Sequence, residues 1–501
     1  MKPQFIVRCS SPGRLTCRVL RRLGVLCAVL LVAAGCTPTV LAGHPLSMRY
    51  DPQRVGGLDV SGGPSGQRPA GPPPTGAVDN TDGGPIDRLA LLGVNDIEMF
   101  WKAQYPKVFG STLQPVTALF SFDPADPSTP SICGASPEEF AGNAAYCRTE
   151  DSINWDRSAQ TGMLSIGSKY FGPMAAVGIL AHEYGHAIQH RADLPETDDT
   201  LVSEQQADCL AGVYLRWVAE GHSPRFALST GDRPFGLNYL LAGVLALRDP
   251  LSTPGNPALI PNPHGSGLDR VGALQMGFEQ GAKSCAQIDA AEILKRRGDL
   301  PKALFSALSQ NSDMTVDEGA LRSLTEVLQQ IFQPNQPPTL TTESATCGGG
   351  PPAKLATYCP SSNSVAVNLA ALQQIATPAN EYDQEVLLQG DNTAISVVTS
   401  RYVLALQHEK GLALDSPTAA MRTACLTGVA QREMAQPTSA TSDRGLTLGA
   451  GDLDEAIAGL LTNGVVASDV NGETLPAGFT RVSAFRSGLL SNADDCYRRF
   501  E

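Results

Sequence analysis

Apolar residues recur at intervals of three and four in several parts of the chain, which is the spacing of an amphipathic helix. Folded sequence begins near Leu89 with this pattern, and two further stretches repeat it around residues 177–188 and 210–217. The apolar positions are Val94, Ile97, Phe100 and Trp101, then Val177, Leu180, Ala181, Tyr184 and Ile188, then Leu210, Val213, Tyr214 and Trp217. We therefore expect helices in these three places, each with one face in a core.

The first 88 residues lack this pattern. Residues 1–36 carry six basic and no acidic residues, with an apolar run at 23–34 that is typical of an export signal and shorter than the ~20 residues of a membrane span. The run ends in Ala33-Ala34-Gly35-Cys36, which resembles a bacterial lipobox. It predicts lipidation of Cys36 and a lipid anchor on the outer face of the cytoplasmic membrane, with simple cleavage near Ala34 as the alternative. Residues 37–88 are rich in Gly, Pro, Ser and Asp and predict a disordered tether.

The rest of the chain is long and acidic. Its 501 residues hold 37 Lys and Arg against 50 Asp and Glu, which disfavours nucleic acid or an anionic membrane surface as the main partner. One core rarely organises such a length, so we expect one domain over residues 89–300 and another over 301–501. Eight cysteines follow Cys36, and an even number in an exported chain indicates four disulfides.

Landmarks of residues 91–290 recur in the same order from about residue 313, which predicts an internal duplication. The matches are Tyr146-Cys147 with Tyr358-Cys359, His182-Glu183 with His408-Glu409, Cys209-Leu210 with Cys425-Leu426, and Arg270-Val271 with Arg481-Val482. Four cysteines in each repeat allow three pairings, and we choose neighbours along the chain. The predicted disulfides are Cys133–Cys147, Cys209–Cys285, Cys347–Cys359 and Cys425–Cys496.

The motif His182-Glu183-Tyr184-Gly185-His186 lies within the second predicted helix. Histidines four residues apart share one helix face, so both imidazoles can bind one zinc ion while Glu183 lies beside the metal as a general base. Two hydrogen-bonded helix histidines without a metal are the alternative interpretation.

A zinc site also needs a third protein ligand. Glu204, at the start of the third predicted helix, is the candidate, because the 18 residues after His186 let the chain turn back. Asp208 lies one turn further and could accept a hydrogen bond from the other ring nitrogen of a zinc-bound histidine. The predicted cofactor is one Zn²⁺ per chain, held by His182, His186 and Glu204.

The segment HEYGH followed by ExxADCLAGV resembles the bacterial neutral zinc metallopeptidases, a family of gluzincin type. Two further segments are similar to landmarks of that family, namely Tyr146-Cys147-Arg148 and His264-Gly265-Ser266 with Arg270. The resemblance implies an α+β, zincin-like fold with two metal-bearing helices and a small sheet. It also implies that His264 assists catalysis as a donor to the oxyanion. At the scale of the whole chain, signal, tether and duplicated body resemble mycobacterial lipoprotein peptidases.

Together these features predict an exported, envelope-anchored zinc endopeptidase that hydrolyses a peptide or protein substrate, with Glu183 moving the proton. A catalytically silent binding or scaffold protein of metallopeptidase ancestry is one alternative. A zinc aminopeptidase is another, disfavoured because no GxMEN-like segment is present.

The second repeat is expected to lack a catalytic zinc. Aligning His408 with His182 puts Leu412 at the position of His186. Counting back from the matched cysteines puts Ala420 and Ala424 at the positions of Glu204 and Asp208, and Leu475 falls opposite His264. Three protein ligands are normally needed to hold zinc. The sequence therefore predicts a degenerate metallopeptidase-like repeat.

Overall fold

The protein is described here by a computed structural model. The signal segment 1–36 with Cys36, and residues 37–50 of the predicted tether, lie outside the described residues. The described residues are 51–194, 200–246, 264–305, 314–342, 346–347, 354–377, 389–436, 441 and 446–501. They belong to the compact unit Ser47–Glu501.

The prediction of a disordered tether over residues 37–88 is wrong for the part that begins at Asp51. Strands β1 (Arg54–Val55) and β2 (Leu58–Asp59) form a hairpin, and β3 (Gly66–Gln67) pairs with a strand at Phe226–Ala227. Ser61 N donates to Thr230 Oγ1 at 2.9 Å, and Arg68 Nε donates to Phe226 O at 2.8 Å. Hydrogen bonds of the backbone and of polar side chains hold this segment against the body. Its low content of apolar residues therefore did not indicate that it is ordered.

The first half of the body, residues 85–297, contains the three predicted helices. Its helices are α1 (Pro85–Phe109), α2 (Met163–Phe171), α3 (Pro173–Arg191), α4 (Thr200–Ala219), α5 (Leu237–Ala246), α6 (Gly267–Gln280), α7 (Ala282–Cys285) and α8 (Ala290–Arg297). Its sheet contains β4 (Ala118–Phe122), β5 (Ala144–Cys147) and β6 (Ser152–Asp156) in the order β4-β6-β5. β4 is parallel to β6, and β5 is the antiparallel edge strand. β7 (Phe226–Ala227) follows later and pairs with β3.

The second half, residues 302–499, has a similar order of elements, without counterparts of β7 and α8 among its described residues. After a 3₁₀ turn at Lys302–Phe305 come α9 (Glu318–Phe332), β8 (Thr339–Thr341), β9 (Ala356–Cys359), β10 (Ser364–Val367) and α10 (Leu369–Ile375). The remaining helices are α11 (Asp391–Glu409), α12 (Pro417–Met434), α13 (Asp452–Thr462), α14 (Gly478–Leu489) and α15 (Ala493–Arg499). The sheet order β8-β10-β9, with β8 parallel and β9 antiparallel to β10, repeats that of the first half. The class is α+β, as predicted.

Four disulfides join the cysteines in the predicted pairs. Cys133–Cys147 and Cys347–Cys359 hold the matching edge strands β5 and β9, with Cα atoms 5.4 and 5.3 Å apart. Cys209–Cys285 and Cys425–Cys496 join α4 to α7 and α12 to α15, with Cα distances of 5.4 and 5.7 Å. Disulfides persist in oxidising compartments, so the chain has the character of an exported protein.

Glycines allow the closest helix contact in each half. A Cβ at Gly212 of α4 would lie 2.0 Å from Leu274 O of α6, and a Cβ at Gly428 of α12 would lie 2.1 Å from Phe485 O of α14. Real Cβ atoms never come so close to a backbone oxygen, so only glycine fits at both places. Among the described helices, none combines the length and apolar character needed to cross a membrane.

The structure corrects the alignment of the two halves at the motif helices. The chain leaves α3 through bonds from Ala192 N to Ile188 O and from Leu194 N to Gln189 O, and leaves α11 through bonds from Lys410 N to Leu406 O and from Leu412 N to Gln407 O. His190 lies over Tyr146 with ring centroids 6.4 Å apart, and His408 lies over Tyr358 at 5.9 Å.

By these contacts His408 takes the position of His190 in its helix, and not that of His182. In the corrected register, Ser400, Arg401 and Leu404 take the positions of His182, Glu183 and His186. The matches based on the cysteines are unchanged. Cys209 and Gly212 of α4 share one offset from Cys425 and Gly428 of α12, and the residues that they contact share a second offset, from Leu274 to Phe485 and from Cys285 to Cys496.

Candidate metal centre

Helices α3 and α4 cross closely enough to bring their polar residues together. His182 and His186 lie one turn apart on α3, and Glu204 and Asp208 lie one turn apart on α4. A Cβ at Gly185 would lie 2.9 Å from Ala207 O of α4, so a larger residue would force the helices apart. The glycine inside the HEYGH motif thus sets the distance between the two pairs.

Three donor atoms converge at this crossing. Glu204 Oε2 lies 3.1 Å from His182 Nε2 and 3.5 Å from His186 Nε2. The three donor atoms all lie within 4.8 Å of one another, and the two rings are nearly perpendicular at 88°. A tetrahedral zinc ion with bonds of 2.0–2.2 Å separates its ligand atoms by about 3.4 Å. The two distances to Glu204 are close to that spacing, so these three side chains could hold a metal ion.

Asp208 orients the first imidazole. Its Oδ1 lies 2.8 Å from His182 Nδ1, and Arg270 donates to the same carboxylate through Nε and Nη2, both at 3.0 Å. An ionised carboxylate can only accept, so Nδ1 carries a hydrogen. Nε2 also donates, to Glu204 at 3.1 Å, and it would present a lone pair to the cluster once a metal ion displaced that proton. Asp208 therefore contacts the ring nitrogen of His182 that is not part of the cluster.

A chain of two amides orients the second imidazole. His186 Nδ1 lies 2.8 Å from Gln189 Oε1, and Gln189 Nε2 donates to Ser203 O at 2.7 Å and to Gln206 Oε1 at 3.0 Å. Gln206 Nε2 in turn donates to Ile288 O at 2.9 Å. Because the carbonyl of Ser203 can only accept, the Gln189 amide must direct its oxygen to His186. His186 is thus held in the same tautomer as His182.

The cluster is strongly negative for a buried place. Burial alone would lower the pKa of His182, but Asp208 and Glu204 raise that pKa to about 10. Burial likewise lowers the pKa of His186, and its contact with Glu204 outweighs burial and raises it. Burial raises the pKa of Asp208, but Arg270 and His182 bring it down to about 2. The pKa of Glu204 lies below its usual range, because the two imidazoles outweigh burial. The pocket therefore favours a positive charge, as protons or as a metal ion.

Glu183 and His264 both lie near this cluster. Glu183 is 8% exposed, and its Oε2 accepts a hydrogen bond of 3.0 Å from the backbone N–H of Tyr146 on the edge strand β5. His264 precedes α6 and places Nε2 3.7 Å from Glu204 Oε2, with 43% of its side chain exposed. All the site residues predicted from the sequence within the body are therefore close together.

The sequence analysis did not identify three side chains of the site as functional residues, namely Arg270, Gln189 and Gln206. Arg270 was noted only as a landmark, and Gln189 and Gln206 were not considered. The one available signal for Gln189 is its position three residues after His186, which places it on the neighbouring part of the same helix face. Many helical glutamines stand at such a spacing, so the sequence could not single it out.

A scan against protein-family models, a search of the curated proteins and a search of the solved structures each found no match.

The matching place in the second half has different chemistry. Arg401, at the position of Glu183, is 1% exposed and donates to the backbone oxygens of Asp469 at 3.1 Å and Val465 at 2.8 Å. Burial lowers its pKa to about 10, so the guanidinium still carries a positive charge near neutral pH. Ala420 and Ala424 are buried at the positions of Glu204 and Asp208. A buried cation without these carboxylates disfavours metal.

A second group of acids, Asp391, Asp452 and Glu455, lies buried between α11 and α13 with ligand atoms within 4.8 Å. Backbone N–H groups donate to each of them, from Met314 to Asp391, from Gly449 to Asp452 and from Asn392 to Glu455. These contacts explain the acids as structural groups, and we assign no metal to them.

Proposed function

We propose that the protein is a zinc-dependent peptidase whose centre is formed by His182, His186 and Glu204, with Glu183 as general base. The observation that carries the proposal is the convergence of two Nε2 atoms and one carboxylate oxygen within 4.8 Å of one another, with both Nδ1 atoms held as donors to partners outside the cluster. This is the donor set of catalytic zinc sites that keep one position open for water or substrate. The resemblance of HEYGH and ExxADCLAGV to neutral zinc metallopeptidases supports the same proposal.

The chain's own residues have separate tasks. A zinc ion bound there would supply Lewis acidity, polarising a carbonyl and making water acidic enough to attack it near neutral pH. Glu183 accepts the proton of the attacking water and delivers it to the leaving amine. The Tyr146 N–H holds the Glu183 carboxylate at the site. His264, partly exposed beside Glu204, donates to the developing oxyanion.

The edge strand β5 supports a peptide as substrate. β5 pairs with β6 on one side only, and its Tyr146 N–H points away from β6 towards Glu183. An extended peptide can add to such an edge by backbone hydrogen bonds. Its scissile carbonyl would then lie beside the metal cluster, which favours cleavage within a chain and thus an endopeptidase.

We further propose that the two halves arose by duplication and that the second has lost its metal site. Support comes from the repeated strand order, helix order and disulfides, and from Arg401, Ala420 and Ala424 at site positions. Its lasting role is structural, because a fold can persist after its chemistry is lost.

The decisive experiment uses the chain from residue 37 onward. Zinc is measured by atomic emission, and cleavage of an unbiased peptide library is measured with the wild-type protein and with Glu183→Gln. We expect one zinc per chain in both proteins and a rate at least about 100-fold lower for Glu183→Gln. Glu409→Gln is the matched control, because Glu409 lies at the exposed end of α11 and bonds Asn335. Zinc without any cleavage in the wild-type protein would favour the alternative of a silent binding protein.

A further inference from the structure

The two halves contact each other through equivalent helices. α5 of the first half packs against α13 of the second, and each of these helices also contacts the partner half's α14 or α6. Asn238 on α5 and Asp454 on α13 occupy matching positions, each five residues before the corresponding Gly243 or Gly459. The halves therefore pack about an approximate two-fold axis, as the subunits of a symmetric dimer do.

Across this axis each half caps a helix of the other. Asp454 Oδ1 accepts a hydrogen bond of 3.1 Å from Leu268 N in the first turn of α6. Asn238 Oδ1 accepts one of 2.8 Å from Gly478 N, the first residue of α14. The first N–H groups of a helix have no partner within the helix, so both contacts satisfy donors that would otherwise be left buried.

Glycines make both contacts close. A Cβ at Gly267 would lie 2.2 Å from Leu245 of its own half and 3.1 Å from Asp454 of the other. A Cβ at Gly478 would lie 2.8 Å from Leu461 of its own half and 2.5 Å from Asn238 of the other. The arrangement is reciprocal except in two members. An aspartate stands on one side and an asparagine on the other, and the bonded N–H belongs to the second residue of α6 but to the first residue of α14.

The capped turn of α6 carries the site. His264 lies just before it, and Arg270 lies within it and holds Asp208, which orients His182. Asp454 is 4% exposed, so its charge lies in a buried place at the positive end of α6, where a negative charge is favourable. The equivalent turn of α14 carries Arg481, which reaches the backbone oxygen of Leu460 instead of a carboxylate at a metal site.

We propose that the second half is a working part of the metal centre of the first, with Asp454 as a positioning residue that sets Arg270 and His264 through the first turn of α6. This inference rests on the proposed zinc site. It gives the second half a role in zinc binding by the first half, although the second half is proposed to have lost its own metal site.

The test compares Asp454→Ala with Asn238→Ala, the mirror-image loss of a cap, in the full body of the protein. Zinc affinity is measured by competition with a chelator, and the thermal midpoint is measured without zinc. Both variants should lower the midpoint, but only Asp454→Ala should weaken zinc binding, by about tenfold, as for other outer partners of metal ligands. Asp454→Asn, which keeps the accepting oxygen, should bind zinc more tightly than Asp454→Ala.

Equal effects of Asp454→Ala and Asn238→Ala on zinc affinity, or no effect of either, would overturn the proposal. If Asp454→Ala does not fold, it is replaced in the same comparison by Asp454→Ser, whose side chain is too short for its oxygen to reach Leu268 N. If the wild-type protein binds no zinc, the proposed function fails but the cap can still be judged by hydrogen exchange. Asp454→Ala must then speed exchange at Leu268 and leave Gly478 unchanged, and any other outcome refutes the positioning role.

Discussion

Replacing Arg270 by methionine would remove the cation that faces the buried carboxylate of Asp208. The side chains of Arg270 and Asp208 are 8% and 2% exposed, and the guanidinium donates twice to the carboxylate at 3.0 Å. Breaking a buried ion pair by removing one partner destabilises proteins by about 3–5 kcal/mol, and this is an upper figure here because protonated His182 still contacts Asp208 at 2.8 Å. We expect a loss of up to this size in the free energy of unfolding of the zinc-free protein.

The assay is urea unfolding at pH 7 with the disulfides intact, followed by circular dichroism. The double variant Arg270→Met with Asp208→Asn should be more stable than Arg270→Met alone, because it leaves no unpaired charge. Arg432→Met is the control, since Arg432 pairs with Asp299, whose side chain is 66% exposed, and such pairs contribute about 1 kcal/mol or less. If Arg270→Met lost no more stability than Arg432→Met, or if the double variant were the least stable of the three, the assignment of a buried ion pair would be refuted.

Three further predictions concern the same site and the N-terminus. Gln189→Leu should weaken zinc binding about 10–100-fold, while Gln407→Leu at the equivalent position of the second half should leave zinc affinity unchanged; equal losses would remove the amide chain from the site. The pKa of His182 is raised from 6.5 to about 10, so its protonation stabilises the zinc-free fold fully below pH 6.5, and this contribution is lost as the pH rises through 10. Urea unfolding between pH 7 and 10 should show the decline, and a His182→Gln variant should lack most of it. Cys36→Ala should move the protein from the membrane fraction to the soluble fraction or block its maturation, and an unchanged distribution and mass would rule out lipidation.

The parts that the sequence predicted well depend on short-range regularity. Two histidines one helical turn apart must share a face, so the motif predicted the approach of His182 and His186 without knowledge of the fold. The matched cysteines limited the pairing to three choices in each half, and the neighbouring choice is present. Glu204 followed from the need for a third ligand, combined with enough chain to return.

The parts that the sequence could not predict depend on tertiary contacts. Gln189 orients His186 only because Ser203 and Gln206 meet it from α4. The alignment of His408 with His182 was based on two identical residues. It took no account of where the two helices end, which is known only from the structure. The amino-acid composition suggested disorder for residues 51–88. Composition cannot predict that backbone groups of this segment form hydrogen bonds with a strand far away in the sequence.

The ordered N-terminal segment changes how far the protein could work from a membrane. Thr480 Oγ1 of the second half donates to Arg54 O at 3.0 Å, and β3 pairs with β7 of the first half, so the chain is attached to both halves soon after residue 51. If Cys36 carries the proposed lipid, residues 37–50 connect it to the described chain, and a stretch of that length spans at most about 50 Å. A tether that continued to residue 88 would allow more than about three times that span. A peptidase anchored in this way would reach only a thin layer above the bilayer, so its substrates would be proteins held at the same surface or peptides that diffuse to it.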